Sequence, residues 1–347
     1  VNIQEKYISR CLQLAKKGLG FTRPNPMVGC VIVYMDRIIG EGFTSPYGGS
    51  HAEVNAIAQV KNKEQLKEAT LYVSLEPCNH TGKTPPCTNL IKKYALKKVV
   101  VGCVDPFDAV DGKGIASLRA AGIDVEVGVL EKECIAMNKR FFTFHREKRP
   151  FIVLKWAQTI DGYFDKDRSQ PQQGPNWISN EYAQQMVHKL RAAEQAVLVG
   201  TTTAINDNPS LTVRSWHGQH PVKVLIDRSL RVPKQSKLFA TEGEVIVFTE
   251  KEKEARKGVR YVQLDFSQPI AAQICSHLYD LMIQSVLIEG GAKTLQSFLD
   301  AELWDEAYVF TGAVHFGAGL KAPAIHGQLI TTTRVGDNEL DYIQPVK

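Results

Sequence analysis

The chain has 347 residues, of which 44% are hydrophobic and 23% charged, ordinary proportions for globular protein and ample for two cores. Its 42 basic and 37 acidic residues leave a net charge of +5, which suits a phosphorylated small molecule and is too weak by itself to argue for nucleic acid. No apolar run approaches the ~20 residues of a membrane span, and seven scattered cysteines, an odd number, are no disulfide framework.

The first twenty residues place Tyr7, Ile8, Cys11, Leu12 and Leu14 at helical spacing. They lack the apolar centre and cleavage site of a signal peptide, so a cytoplasmic enzyme is expected. Residues 29–35 then read as a strand, 51–60 as a helix and 70–75 as a strand. Helix 89–96, strand 98–104, helix 114–121 and strand 124–129 follow. This alternation predicts α/β layers around a central sheet. Residues 145–150 (HREKRP) are charged, end in proline and separate two apolar blocks, which makes them the candidate linker.

The pattern restarts at 151–157, a strand, with helix 181–193 and strands 195–200, 222–226 and 244–248. A polar loop is expected over 200–209. Strand 285–288 leads through Glu289-Gly290-Gly291 into helix 292–299, and 307–310 is a late strand. The fold class is therefore α/β, two such domains in tandem, over 1–146 and 150–347.

The strongest chemical signal is His51-Ala52-Glu53 followed, beyond a predicted strand, by Glu76-Pro77-Cys78 and Pro86-Cys87. A catalytic zinc takes three nitrogen or thiolate ligands and keeps its fourth position for water. His51, Cys78 and Cys87 are such a set. Glu53, two residues beyond the histidine, is placed to take the water's proton and pass it to a leaving amine. The pattern resembles the H-x-E…P-C-x-x-C signature of zinc nucleobase deaminases, with eight residues between the cysteines instead of two. Plainer readings are a helix cap at His51, free buried thiols, or a structural zinc closed by His80 as fourth ligand. Cys11, Cys30, Cys103, Cys134 and Cys275 sit in apolar or helical contexts and read as small buried hydrophobes.

The widened insert Cys-Asn-His-Thr-Gly-Lys-Thr-Pro-Pro-Cys (78–87) and the run Asn25-Pro26-Met27-Val28-Gly29 resemble the bifunctional riboflavin-biosynthesis deaminase–reductase family. The resemblance extends over essentially the whole chain. It implies a cytidine-deaminase-like N-terminal domain acting on a pyrimidinone that carries a ribose 5-phosphate. Asn25, His80 and Lys83 would then contact that substrate. The plain alternatives are a turn-former before proline for Asn25 and a solvated loop lysine for Lys83.

In the second half, Gly290-Gly291 opens a helix where backbone N–H groups favour phosphate, although a Gly-Gly pair is more often just a turn. By itself the half reads only as a nucleotide or phosphate site. Lys155 through Gly162, Trp177-Ile178-Ser179, Gly200 through Arg214 and Glu289-Gly290-Gly291 resemble the same family's reductase half. That implies a dihydrofolate-reductase-like C-terminal domain using NADPH to reduce the ribosyl group. Ala157, Trp177, Thr203 and Asp207 would touch the cofactor, with Gly290 and Gly291 beside its phosphates. Arg191, Leu211, Arg214 and Glu289 would touch the substrate, the arginines because guanidinium forks suit phosphate. The alternative for the arginines is a surface ion pair. Thr159 and Pro175-Asn176 depart from the family's pattern, and the proline weakens a hydroxyl contact there.

Two other functions fit parts of the chain. A nucleic-acid-editing deaminase would need a basic, aromatic-lined surface, and would leave the second domain without a task. A zinc-stabilised binding protein without catalysis would need neither Glu53 nor an open metal position. The expected partners are a small phosphorylated pyrimidine and further copies of the chain, with no nucleic acid and no membrane; the expected cofactors are Zn2+ and NADPH.

Overall fold

The computed structural model describes residues 2–82, 85–168, 174 and 176–346. The chain divides into two compact units, Val1–Lys148 and Arg149–Lys347. Among the described residues, no helix is long and apolar enough to cross a membrane.

The first unit runs α1 (Ile3–Ala15), β1 (Gly29–Tyr34), β2 (Arg37–Phe43), α2 (Ala52–Gln59), β3 (Thr70–Leu75), α3 (Cys87–Lys93), β4 (Lys98–Cys103), α4 (Lys113–Ala120), β5 (Asp124–Val127), α5 (Glu131–Met137) and α6 (Lys139–Glu147). Its sheet has the order β2-β1-β3-β4-β5. The β3–β4 and β4–β5 pairs are parallel, while β1 pairs antiparallel with both β2 and β3. The inner strands are continuous apolar runs, such as Val99, Val100 and Val101, because helices cover both faces. Gly42 in β2 lets α2 lie close: a Cβ there would meet the Ala52 carbonyl oxygen at 2.4 Å and the Ala56 nitrogen at 2.5 Å. Asn55 of α2 completes the docking by donating to the Phe43 carbonyl at 2.8 Å and the Ser45 hydroxyl at 3.0 Å.

The second unit comprises β6 (Phe151–Thr159), β7 (Tyr163–Asp165), α7 (Glu181–Ala193), β8 (Ala196–Gly200), α8 (Thr201–Asp207), β9 (Val222–Ile226), α9 (Lys237–Ala240), β10 (Val245–Thr249) and β11 (Val259–Gln263). It continues with α10 (Ile270–Asp280), β12 (Ser285–Gly290), α11 (Ala292–Asp300), β13 (Glu306–Gly312), β14 (Leu320–Lys321), β15 (Gln328–Val335) and β16 (Asn338–Gln344). Nine strands form one sheet in the order β11-β10-β9-β8-β12-β6-β13-β16-β15. It is parallel from β11 to β13 and antiparallel at β13–β16 and β16–β15. Separate apolar clusters lie against the sheet, one centred on Trp156, Leu198 and Phe298 and another on Val153, Val197 and Leu225.

Two expectations need correction. Residues 201–207 are the helix α8, not a loop; weak helix formers (Thr-Thr-Thr, Asn, Asp) hid it. The HREKRP segment is not a free linker either, because α6 runs to Glu147 on its Phe141, Phe142 and Phe144 face. The helix stops at Lys148, whose φ is 54°, and Arg149 is fixed to Asp305 by a bidentate pair at 2.7 and 2.8 Å.

Candidate active sites

The metal cluster gathers where β3 ends, α2 begins and α3 begins. His51 is the N-cap position of α2 but makes no side-chain cap bond, so its imidazole is free for other work. Its Nδ1 lies 3.5 Å from Cys78 Sγ and 3.3 Å from Cys87 Sγ. One ligand atom from each of the three residues falls within 4.8 Å of the others. Bonds of about 2.0–2.3 Å at tetrahedral angles would span roughly 3.5 Å between nitrogen and sulfur, so the donor set fits zinc. The Cys78 sulfur also accepts the Cys87 backbone N–H at 3.3 Å, at the start of α3, where thiolates are favoured. A hydrogen bond from Cys87 and, against burial, one from His51 pull the Cys78 thiol well below its ordinary value. The same hydrogen bond pushes the Cys87 thiol upward.

Glu53, in the first turn of α2, is 4% exposed. Burial pushes its carboxyl up to about 7, and the Cys78 charge adds to that push. A carboxyl poised there gives and takes protons near neutrality, which is what an acid–base residue needs.

A second carboxylate, Glu76, builds the cradle. It is 4% exposed, and it accepts four backbone N–H bonds. Oε2 takes those of Asp105 (3.2 Å) and Gly112 (2.9 Å), and Oε1 those of Gly114 (2.9 Å) and Ile115 (3.1 Å). The residue two before Cys78 is thereby fastened to the N-terminus of α4. On the other side, Asn138 holds the run after Asn25 by accepting the Met27 N–H at 2.8 Å and donating to the Met27 carbonyl at 2.9 Å. Asn25 itself is half-buried on the loop before β1. His80 is exposed, edge-on to the Phe107 ring at 5.8 Å. Lys83 lies outside the described residues.

In the second unit, a cavity of about 600 Å³ opens beyond the C-terminal ends of β6, β8 and β12. Trp177, Thr203, Asp207, Leu211, Arg214, Arg191 and Glu289 all line it, so the structure brings seven of the expected residues to one wall. Lys155, Arg191, Arg214 and Lys237 outnumber the carboxylates Asp207 and Glu289, which makes the cavity basic. Trp177 is 64% exposed at its rim. Gly290 and Gly291 stand behind Thr203: Cβ atoms there would meet the Thr203 side chain at 3.0 and 3.5 Å. Gly291 has φ 75° and begins α11 without a side-chain cap, leaving helix N–H groups for an anion. Those N–H groups, the basic wall and the exposed indole fit a phosphorylated dinucleotide. Ala157 is on β6 beyond Lys155, packed beside Phe310 and not in the cavity lining.

Arg191 and Glu289 do not stand apart. They form a buried bidentate pair, Nε–Oε1 at 2.5 Å and Nη2–Oε2 at 2.6 Å, where a surface ion pair was the plain alternative. Burial, which would raise the Glu289 carboxyl, is outweighed by Arg191, and it sits below its ordinary range. Burial lowers the Lys155 ammonium. Asp207 likewise has a partner, Arg168 at 3.1 Å.

The comparisons bear on both units. Residues 1–103 match the cytidine and deoxycytidylate deaminase zinc-binding region, and residues 150–345 match the RibD C-terminal domain. The riboflavin biosynthesis protein RibD of Aquifex aeolicus is 42% identical over 92% of this chain and 89% of that protein. The same protein of Actinobacillus pleuropneumoniae is 37% identical over 98% and 89%.

The chain belongs to the RibD family.

Among solved structures, a diaminohydroxyphosphoribosylaminopyrimidine deaminase/5-amino-6-(5-phosphoribosylamino)uracil reductase from Thermotoga maritima is similar over 99% of both chains, at 38% identity and a TM-score of 0.89. RibD of Acinetobacter baumannii is 33% identical with a TM-score of 0.90 over 99% of both chains. As a RibD-family member the chain is a bifunctional enzyme of riboflavin biosynthesis, a zinc-dependent deaminase followed by a reductase that uses NADPH. The α/β fold expected for each half, cytidine-deaminase-like and then dihydrofolate-reductase-like, is the fold observed. Asn138 and His188 are residues beside these sites that the sequence did not single out. Glu76 and Lys155 were quoted within motifs, the first two residues ahead of Cys78 and the second at the head of the Lys155–Gly162 run, but without a role of their own.

Proposed function

We propose that the first unit removes the 2-amino group of 2,5-diamino-6-(5-phosphoribosylamino)pyrimidin-4(3H)-one by hydrolysis, and that the second reduces the ribosyl group of the product to ribityl. The convergence of His51, Cys78 and Cys87 with the buried Glu53 beside them carries this reading. His51, Cys78 and Cys87 would hold the zinc, which would supply Lewis-acid activation of water. Glu53 would take a proton from the attacking water on its carboxylate and return it to the leaving nitrogen, which departs as ammonia. Asn25, His80 and Lys83 orient the pyrimidine and its ribose phosphate.

In the second unit, Trp177, Thr203 and Asp207, with Gly290 and Gly291 behind Thr203 and Ala157 alongside on β6, would hold NADPH, which would supply the hydride. Arg191, Leu211, Arg214 and Glu289 hold the substrate, with the exposed Arg214 guanidinium on its phosphate and the Arg191–Glu289 pair a fixed polar wall. The work is placed in the cytoplasm, where NADPH is available.

Replacing Glu53 with Gln tests the first step. Zinc content is expected to stay while ammonia release falls about 10²–10⁴-fold, the usual contribution of a general acid–base residue. Unchanged release would remove Glu53 from the mechanism. Ammonia from RNA or single-stranded DNA, but not from the diaminopyrimidinone phosphate, would establish the editing alternative instead. For the second step, NADPH oxidation is expected only with deaminated substrate, and oxidation of neither NADPH nor NADH would refute the assignment.

A further inference from the structure

We infer that His188 is a positioning residue for reduction: it fixes the backbone of Arg214 and thereby aims that guanidinium at the substrate's phosphate. The inference rests on the reading of the cavity as the reductase substrate site.

The segment from Ser210 to Arg214 crosses one side of the cavity without helix or strand structure. Leu211 within it has φ 55°, a left-handed conformation that a leucine holds only when its surroundings impose it. The restraint comes from side chains outside the segment. His188 Nδ1 accepts the Arg214 N–H at 3.2 Å, His220 Nδ1 accepts the Val213 N–H at 3.2 Å, and Arg191 Nη1 donates to the Thr212 carbonyl at 3.2 Å. Two of these anchors, His188 and Arg191, lie three residues apart on α7 and so share one face of the helix. The Arg214 side chain leans on the Ser210 and Thr212 hydroxyls, the latter at 3.1 Å, and its head remains exposed. It is thus held from behind and open in front, as a phosphate-binding fork must be.

An imidazole that accepts at Nδ1 is neutral and carries its proton on Nε2. His188 is only 7% exposed. Burial first, then Arg191 on α7 and Arg214 on the loop, push its pKa down to about 4, while Glu289 on β12 and the Thr212 backbone act the other way. Lys155 on β6 adds a further basic group to the same cavity. His188 therefore stays an acceptor through neutral pH. Protonation would convert Nδ1 to a donor facing the Arg214 N–H and add a cation beside two guanidiniums, which unpins the loop.

The test uses the full-length enzyme and initial rates of NADPH oxidation, with the deaminated substrate in phosphorylated and dephosphorylated forms. In His188→Leu, KM for the phosphorylated substrate is expected to rise so that its advantage over the dephosphorylated one falls about tenfold, with a much smaller change in kcat. His188→Asn, whose side-chain oxygen reaches the place of Nδ1, is expected to restore most of that advantage. The double variant His188→Leu/Arg214→Ala is expected to be no worse than Arg214→Ala alone, as for residues acting through one contact. The wild type's advantage is expected to shrink as pH approaches 4 by more than that of His188→Asn. An unchanged advantage in His188→Leu, no rescue by Asn, or additive losses in the double variant would overturn the inference. An Arg214→Ala enzyme that keeps the full phosphate advantage would instead overturn the substrate reading on which the inference depends. The Asn variant and the pH series decide the matter even where the Leu variant does not fold.

Discussion

Arg191 and Glu289 show how much one buried contact carries. Their side chains are 11% and 7% exposed, and removing one partner strands the other's charge at a cost of about 3–5 kcal/mol. Glu289→Gln or Arg191→Met should therefore lower the urea midpoint markedly, and the double variant should lose less than the sum of the two. His188 gives stability a pH dependence of known sign. Its folded pKa of about 4 lies below the ordinary 6.5, so the unfolded chain takes the proton first. The contribution is whole above pH 6.5 and is lost as pH falls towards 4. Urea midpoints measured between pH 7 and pH 5 should fall less steeply in His188→Asn than in the wild type. The cluster of His51, Cys78 and Cys87 was legible in the sequence because few chemistries ask for His-x-Glu and two Pro-Cys steps together. His188 was not, since an isolated histidine announces nothing until folding sets it beside Arg214 and Glu289.

At the scale of elements, the deaminase site depends on how closely α2 lies on β2, because α2 carries Glu53 in its first turn and His51 at its N-cap position. Gly42→Val would drive a side chain into the Ala52 carbonyl and the Ala56 nitrogen. The expected result is displacement of the α2 N-terminus and at least about a tenfold loss of zinc affinity, as disruption of a supporting shell produces. Zinc titration of the purified variant checks it, and wild-type affinity would show that the close approach is not needed. Buried elements were the easiest to read: β3, α7 and β9 begin and end where their patterns predict. β2 was missed because Arg37, Gly40, Glu41 and Gly42 interrupt its apolar pattern. β15 was missed because nearly all of Gln328–Val335 is exposed, so no alternation marks it. α8 was misread as a loop because its residues prefer turns and it is held by its place after β8.

For the whole molecule, two units with separate cores imply two activities that fail separately. A chelator should abolish ammonia release while NADPH oxidation with already deaminated substrate continues. Parallel loss of both would show that the metal supports the second unit as well. That both halves are α/β was legible from alternating strands and helices. The nine-strand width and its antiparallel end were not, because strand order follows from which faces meet and not from local pattern.

The four hydrogen bonds that Glu76 receives have a consequence for how the enzyme acquires its metal. They tie the backbone ahead of Cys78 to α4 through contacts that involve no ion. Many small zinc modules fold only as the metal arrives, and so spend binding energy on ordering the chain. Here the backbone ahead of Cys78 is held by carboxylate and amide groups, without calling on the ion. Zinc loading is accordingly expected to be an encounter with an ordered backbone rather than a folding event. The far-ultraviolet circular dichroism should be the same before and after chelation, and added zinc should raise the first unit's stability only by mass action, about 2.7 kcal/mol at a hundredfold excess over Kd.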